Sequence, residues 1–156
     1  MKLILLNLRS AENVGSIFRT ADAAGFGVSD EILLVGTTPA PIDRFGRPNP
    51  KVAKVALGAE KTIPSQHVET AAEAIALAKK SGAPVVALEQ HPTAQPYRTY
   101  RVPKEWTLVV GAEVEGIPEA VLSTCDAIIE IPMRGAKESL NVAVATGIAL
   151  FQLRGI

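Results

Sequence analysis

Three short stretches hold the side chains of this chain that can do chemistry. The first is Asn13-x-Gly15-x-x-x-Arg19, a carboxamide followed by a guanidinium. A guanidinium is a fixed fork of donors that is always charged, suited to a phosphate or a developing oxyanion. The second is Gly111-Ala112-Glu113-Val114-Glu115-Gly116, a carboxylate inside a glycine turn. The third runs Ile131-Pro132-Met133-Arg134-Gly135, then Ser139-Leu140-Asn141-Val142, with Lys137 and Glu138 between them. It passes into an apolar run in which, from Leu140 to Leu153, only Asn141, Thr146 and Gln152 carry polar side chains. Such a helix has no wet face and must be packed on several sides, within the domain or against another subunit. Polar groups beside that much buried surface can hold a small ligand. Each residue also has a plainer reading. Arg19 alone is a solvated helix residue. Glu113 suits the positive end of a helix opened by Pro118, and either Ser139 or Asn141 can cap the last helix.

Other chemistries lack their residues. There is no glycine-rich phosphate loop ending in Lys-Ser/Thr, and Glu113 stands where a dinucleotide fingerprint needs its middle glycine, so a carboxylate would oppose a pyrophosphate. His67, His91 and Cys125 have no metal-ligand spacing, so no metal is expected. No serine or cysteine triad suggests itself. A lone cysteine fits a reducing compartment. The start, Met1 to Leu8, is too short an apolar run for a signal peptide or membrane span, which predicts a cytoplasmic protein. Sixteen basic and sixteen acidic residues cancel, so any nucleic-acid surface must come from charge distribution.

At 156 residues and 47% hydrophobic composition, one domain over residues 1–156 is expected. Short continuous apolar runs at 3–6, 32–35, 84–88, 107–110 and 127–131 read as strands, with a further strand at 61–64. Between them lie helical stretches: 13–24 with Asn13 as N-cap, 50–57 opened by Pro50, and one begun by the capping box Thr70-Ala71-Ala72-Glu73. Alternating strands and helices, with strands apolar on both sides, predict an α/β fold: a mostly parallel sheet with helices on both faces. Ligands in such sheets bind beyond the carboxyl ends of the strands, which selects the loops after Leu88, Val110 and Ile131.

Taken in order, the three stretches resemble the three motifs of the SPOUT superfamily of methyltransferases, nearest the TrmH-like branch that methylates ribose 2′-oxygens of tRNA or rRNA. Lys54-Val55-Ala56-Leu57-Gly58-Ala59-Glu60 also resembles a segment of that branch, and the likeness runs from about residue 7 to the C-terminus. The resemblance implies a C-terminal deep trefoil knot, which general topology rules would not suggest. It implies S-adenosylmethionine held by Leu88, Gly111, Glu113, Ile131, Met133, Ser139 and Leu140, many contacts being backbone ones. It also implies Arg19, Asn13, Ser139 and Asn141 as catalytic residues. Because guanidinium stays protonated, Arg19 is better suited to binding a phosphate or stabilising the 2′-oxyanion than to accepting a proton.

RNA, tRNA first and rRNA second, is the expected partner. Residues 37–66 carry Arg44, Arg47, Lys51, Lys54 and Lys61 against Asp43 and Glu60, and Tyr97, Arg98, Tyr100 and Arg101 offer stacking and phosphate contacts. A homodimer through the apolar last helix is also expected. Two rival readings are a SPOUT base methyltransferase and a non-catalytic RNA-binding module of the same fold.

Overall fold

The computed structural model describes residues 1–43 and 45–156; Arg44, expected in the basic loop, lies outside them. Seven strands form one sheet: β1 Lys2–Leu6, β2 Glu31–Val35, β3 Ser65–Val68, β4 Val85–Leu88, β5 Gln95–Pro96, β6 Thr107–Val110 and β7 Ala127–Glu130. Six helices accompany them: α1 Ala11–Ala23, α2 Pro50–Ala56, α3 Ala59–Thr62, α4 Ala71–Lys79, α5 Glu119–Leu122 and α6 Val142–Arg154. The strand order is β3-β2-β1-β6-β4-β7-β5, and every pairing is parallel.

The strand sequences explain this arrangement. Side chains alternate between faces along a strand, so a wholly apolar strand must be covered twice. Leu3, Leu5, Ile32, Leu34, Leu108 and Val110 point to one face, under Val14, Ile17 and Phe18 of α1 and Ala149 and Leu150 of α6. Ile4, Leu6, Leu33, Val35, Ala87 and Val109 point to the other, under Ala74, Ile75 and Ala78 of α4. The register sets Leu5 beside Val110 and Val110 beside Leu88, so the carboxyl ends of the central strands finish level. β7 lies between β4 and β5, so the last strand is inserted within the sheet rather than added at its margin.

Several boundaries differ from the sequence expectation. Asn13 does not cap α1; Ser10 does, its hydroxyl accepting from the Asn13 amide at 3.1 Å. The side chain of Asn13 is thereby left for other bonds. Residues 61–64 are not a strand: α3 occupies Ala59–Thr62, and β3 follows at Ser65–Val68 with its first three side chains exposed. A polar margin strand has no apolar run to signal it. The loop at 90–104 contains the two-residue β5, and the strand expected to reach Ile131 ends at Glu130. The Thr70–Glu73 capping box forms both of its bonds.

The final helix is less enclosed than its composition implies. Ala143, Thr146, Ala149, Leu150 and Leu153 are buried, whereas Val144 is 52% and Phe151 38% exposed. The inner face meets α1, where Gly147 approaches Thr20. No helix among the described residues is long and apolar enough to cross a membrane.

α1 and α2 pack closely because Gly15 has no side chain. A Cβ there would lie 2.6 Å from the Val52 carbonyl oxygen and 3.0 Å from Val55 Cβ. Gly15→Ala is therefore expected to destabilise the fold by about 1–3 kcal/mol. Gly27→Ala, whose Cβ meets nothing within 4 Å, should stay within about 0.5 kcal/mol of the parent. Urea denaturation of the two variants checks the contrast.

Candidate active site

A cavity of about 480 Å³ opens where the level ends of β4, β6 and β7 meet the start of α6. The loop after β4 contributes Leu88, Glu89 and Gln90. The turn after β6 contributes Gly111 and Glu113. The chain after β7 contributes Ile131 and Met133, and then Ser139, Leu140 and Asn141. All seven residues expected to hold a cofactor line this one cavity.

The second wall needs its glycine. A Cβ on Gly111 would sit 2.4 Å from the carbonyl carbon of Gly116, 2.6 Å from its oxygen and 2.6 Å from the Ile117 nitrogen. These are backbone atoms, so the turn closes on itself only without a side chain.

The three motifs are joined by one chain of side-chain bonds. Asn141 caps α6, its Oδ1 accepting from the amides of Ala143 at 2.9 Å and Val144 at 3.3 Å. Its Nδ2 donates to Oδ1 of Asn13 at 3.1 Å, and Asn13 Nδ2 donates to Glu113 Oε1 at 2.9 Å. Glu113 also accepts from the amides of Arg9 at 3.1 Å and Ser10 at 3.3 Å. Every donor in the chain points toward the carboxylate, so both carboxamides have one allowed orientation. Glu113 therefore serves the N-terminus of α1, not the α5 terminus expected from its position before Pro118. Partial burial pushes its pKa up, but the bonds from Asn13, Arg9 and Ser10 outweigh that and hold it below the ordinary glutamate value.

Of the four expected catalytic residues, Ser139 and Asn141 line the cavity and Asn13 touches Asn141 and Glu113. Ser139 does not cap α6. Arg19 is exposed and is not on the cavity wall. Six positions along an α-helix turn the side chain by about 600°, so Arg19 leaves α1 about 120° from Asn13. Glu89, Gln90 and Glu130 line the cavity without having been expected there. They belong to no motif; their only sequence signal is their place at strand ends. Cys125 lies elsewhere, half-buried, and burial pushes its thiol up to about 11, which leaves it protonated and unreactive.

The lining chemistry constrains the ligand. Glu89, Glu113 and Glu130 face the space, and no lysine or arginine does among the described residues. That wall repels a polyphosphate and suits a ligand with cationic character. The size falls in the range of small-molecule sites.

A parallel sheet with a small-ligand cavity at its strand ends, bounded by three loops and the N-terminus of the last helix, is the arrangement of an α/β ligand-binding domain. The chain belongs to the SpoU rRNA Methylase family, whose sequence profile matches residues 1–151. Among curated relatives, the 23S rRNA (guanosine-2′-O-)-methyltransferase RlmB of Ralstonia nicotianae is 36% identical over 151 residues, covering 96% of this chain and 56% of its own length. The protein of the same name from Escherichia coli K12 is 35% identical, with 96% of this chain and 58% of its own length covered. This chain thus spans a little over half the length of these relatives. Among solved structures, an AdoMet-bound rRNA methyltransferase from Sinorhizobium meliloti superposes with a TM-score of 0.83 at 32% identity, covering 99% of this chain and 55% of that one. A structure described as giving insight into 2-OH methylation on tRNA superposes with a TM-score of 0.79 at 28% identity, covering 99% of this chain and 97% of that one.

The direction of the bond chain can be tested. Asn13→Ala loses two bonds and should cost about 1–2 kcal/mol. Asn13→Asp sets a carboxylate against Glu113, so its stability should rise as pH is lowered through the carboxylate range. The wild-type contribution of Glu113 has the opposite sign: it is present above the unfolded glutamate pKa and is lost as pH falls through the lowered folded value. Denaturation at several pH values reads both slopes.

Proposed function

We propose that this chain is an S-adenosylmethionine-dependent ribose 2′-O-methyltransferase acting on RNA. The observation that carries the reading is the meeting of the second and third motifs at one acidic cavity with no lining lysine or arginine among the described residues, while Asn13 of the first motif is bonded to Asn141 and Glu113 on its wall. When bound there, the cofactor supplies an electrophilic methyl group on a sulfonium. Leu88, Gly111, Glu113, Ile131, Met133, Ser139 and Leu140 would hold it, and the acidic wall would complement its positive charge. Ser139 and Asn141 stand at the cavity wall where a ribose hydroxyl would be presented. Asn13 orients Asn141 through the bond at 3.1 Å. Arg19 binds a substrate phosphate or stabilises the developing 2′-oxyanion, and the proton passes to water or another acceptor.

Arg19 is exposed and off the cavity wall in its own chain, so an RNA that reaches across α1, or a second copy of the chain, would bring it and the ribose together. The exposed Val144 and Phe151 support a homodimer through α6, which would cover an apolar flank that one chain leaves bare. Residues 1–156 act as one SPOUT domain with a trefoil knot in its C-terminal third, in the cytoplasm.

For the substrate, tRNA is supported by the likeness to the structure described for 2-OH methylation on tRNA. rRNA is the second reading, favoured by the names of the RlmB relatives. Labelled cofactor offered with total tRNA and with ribosomal RNA separately is expected to mark tRNA and to leave the modified linkage resistant to alkali. Label at a linkage that alkali still cuts would indicate base methylation. RNA binding without turnover would indicate a non-catalytic module. Arg19→Ala is expected to lower turnover about a hundredfold or more, while calorimetry shows cofactor uptake unchanged.

A further inference from the structure

Glu89 and Gln90 leave β4 side by side and bind the other two loops of the cavity. Glu89 Oε2 accepts from the Ile117 amide at 2.9 Å, and Oε1 accepts from the Gln90 amide at 2.9 Å. Gly116 presses against that carboxylate, where a Cβ would lie 2.5 Å from Oε2. The turn after β6 is thus folded around Glu89. Gln90 reaches the other way: its Nε2 donates to the carbonyl oxygen of Glu138. A carbonyl only accepts, so the carboxamide orientation is fixed.

The second bond matters because of what it holds. Among the described residues, it is the one hydrogen bond that reaches the backbone between Pro132 and Leu140. That segment has no helix or strand, is mostly exposed, and supplies Met133, Ser139 and Leu140 to the cavity.

We propose that Glu89 and Gln90 are positioning residues that set how long the cofactor is retained, Glu89 by fixing the turn at 111–117 and Gln90 by tying the segment 132–140 across the cavity. The proposal rests on the cofactor reading of this site. Gln90 touches no reacting atom; it acts through Glu138 on the neighbouring wall.

The test compares wild-type protein with Gln90→Met, which keeps the length and loses the donor, and Gln90→Lys, which restores a donor. Cofactor dissociation is followed by rapid mixing. Gln90→Met should release S-adenosylmethionine about two- to tenfold faster, with thermal unfolding unmoved. Gln90→Lys should stay within about twofold of wild type. The segment itself is read without cofactor, by mass spectrometry of tryptic cuts after Arg134 and Lys137, which should come faster in Gln90→Met than in the other two proteins. Equal cutting and equal release rates in all three proteins overturn the proposal. Wild-type protein that takes up no S-adenosylmethionine overturns the cofactor reading and the retention role with it, whatever the cutting shows. Faster cutting with unaltered release leaves Gln90 a tie on the segment alone, and again overturns the retention role.

Discussion

One carboxamide, that of Asn13, stands between the first motif of the chain and the last two. Its oxygen accepts a hydrogen bond from Asn141 and its nitrogen donates one to Glu113. Asn141 begins α6 and Glu113 stands before the amides that begin α1. Two helix N-termini, which would otherwise turn unsatisfied donors and like partial charges toward one region, are thus joined through an acceptor chain that ends on a negative charge. The geometry of the cavity follows from this link, because α1, the β6 turn and α6 are fixed relative to one another by it.

The sheet provides the platform. Parallel pairing with level strand ends means that three loops distant in sequence leave from one rim. Polar chemistry gathers at that rim while the strands beneath it are mostly apolar and buried. Gly111 lets the middle loop close within backbone contact of Gly116. Among the described residues, carboxylates rather than cations give the cavity its charge.

Much of this was readable in the chain. Strands such as Leu3 to Leu6 and Thr107 to Val110 announce burial on both faces, and that in turn implies helices on both sides. The strand-end argument alone selected the three loops, and the motif resemblance named the residues within them. What escaped reading depended on choices between near-equal neighbours. Ser10 and Asn13 can each cap a helix, and the winner freed the loser for the site. Ser65 to His67 form a strand by pairing with β2, with no apolar signature of their own. Glu89 and Gln90 look like ordinary loop residues until the fold brings Ile117 and Glu138 within reach. Arg19 was grouped with Asn13 by sequence spacing, although helical phase sends the two side chains in different directions.

The two margins of the sheet are unlike its centre. β5 has only two residues, and Pro96 can offer no amide hydrogen, while β3 shows water the side chains of Ser65, Gln66 and His67. Neither margin is a good template for a further strand. Growth of the sheet from one molecule into the next is therefore disfavoured at both margins, which leaves each sheet to end within its own molecule.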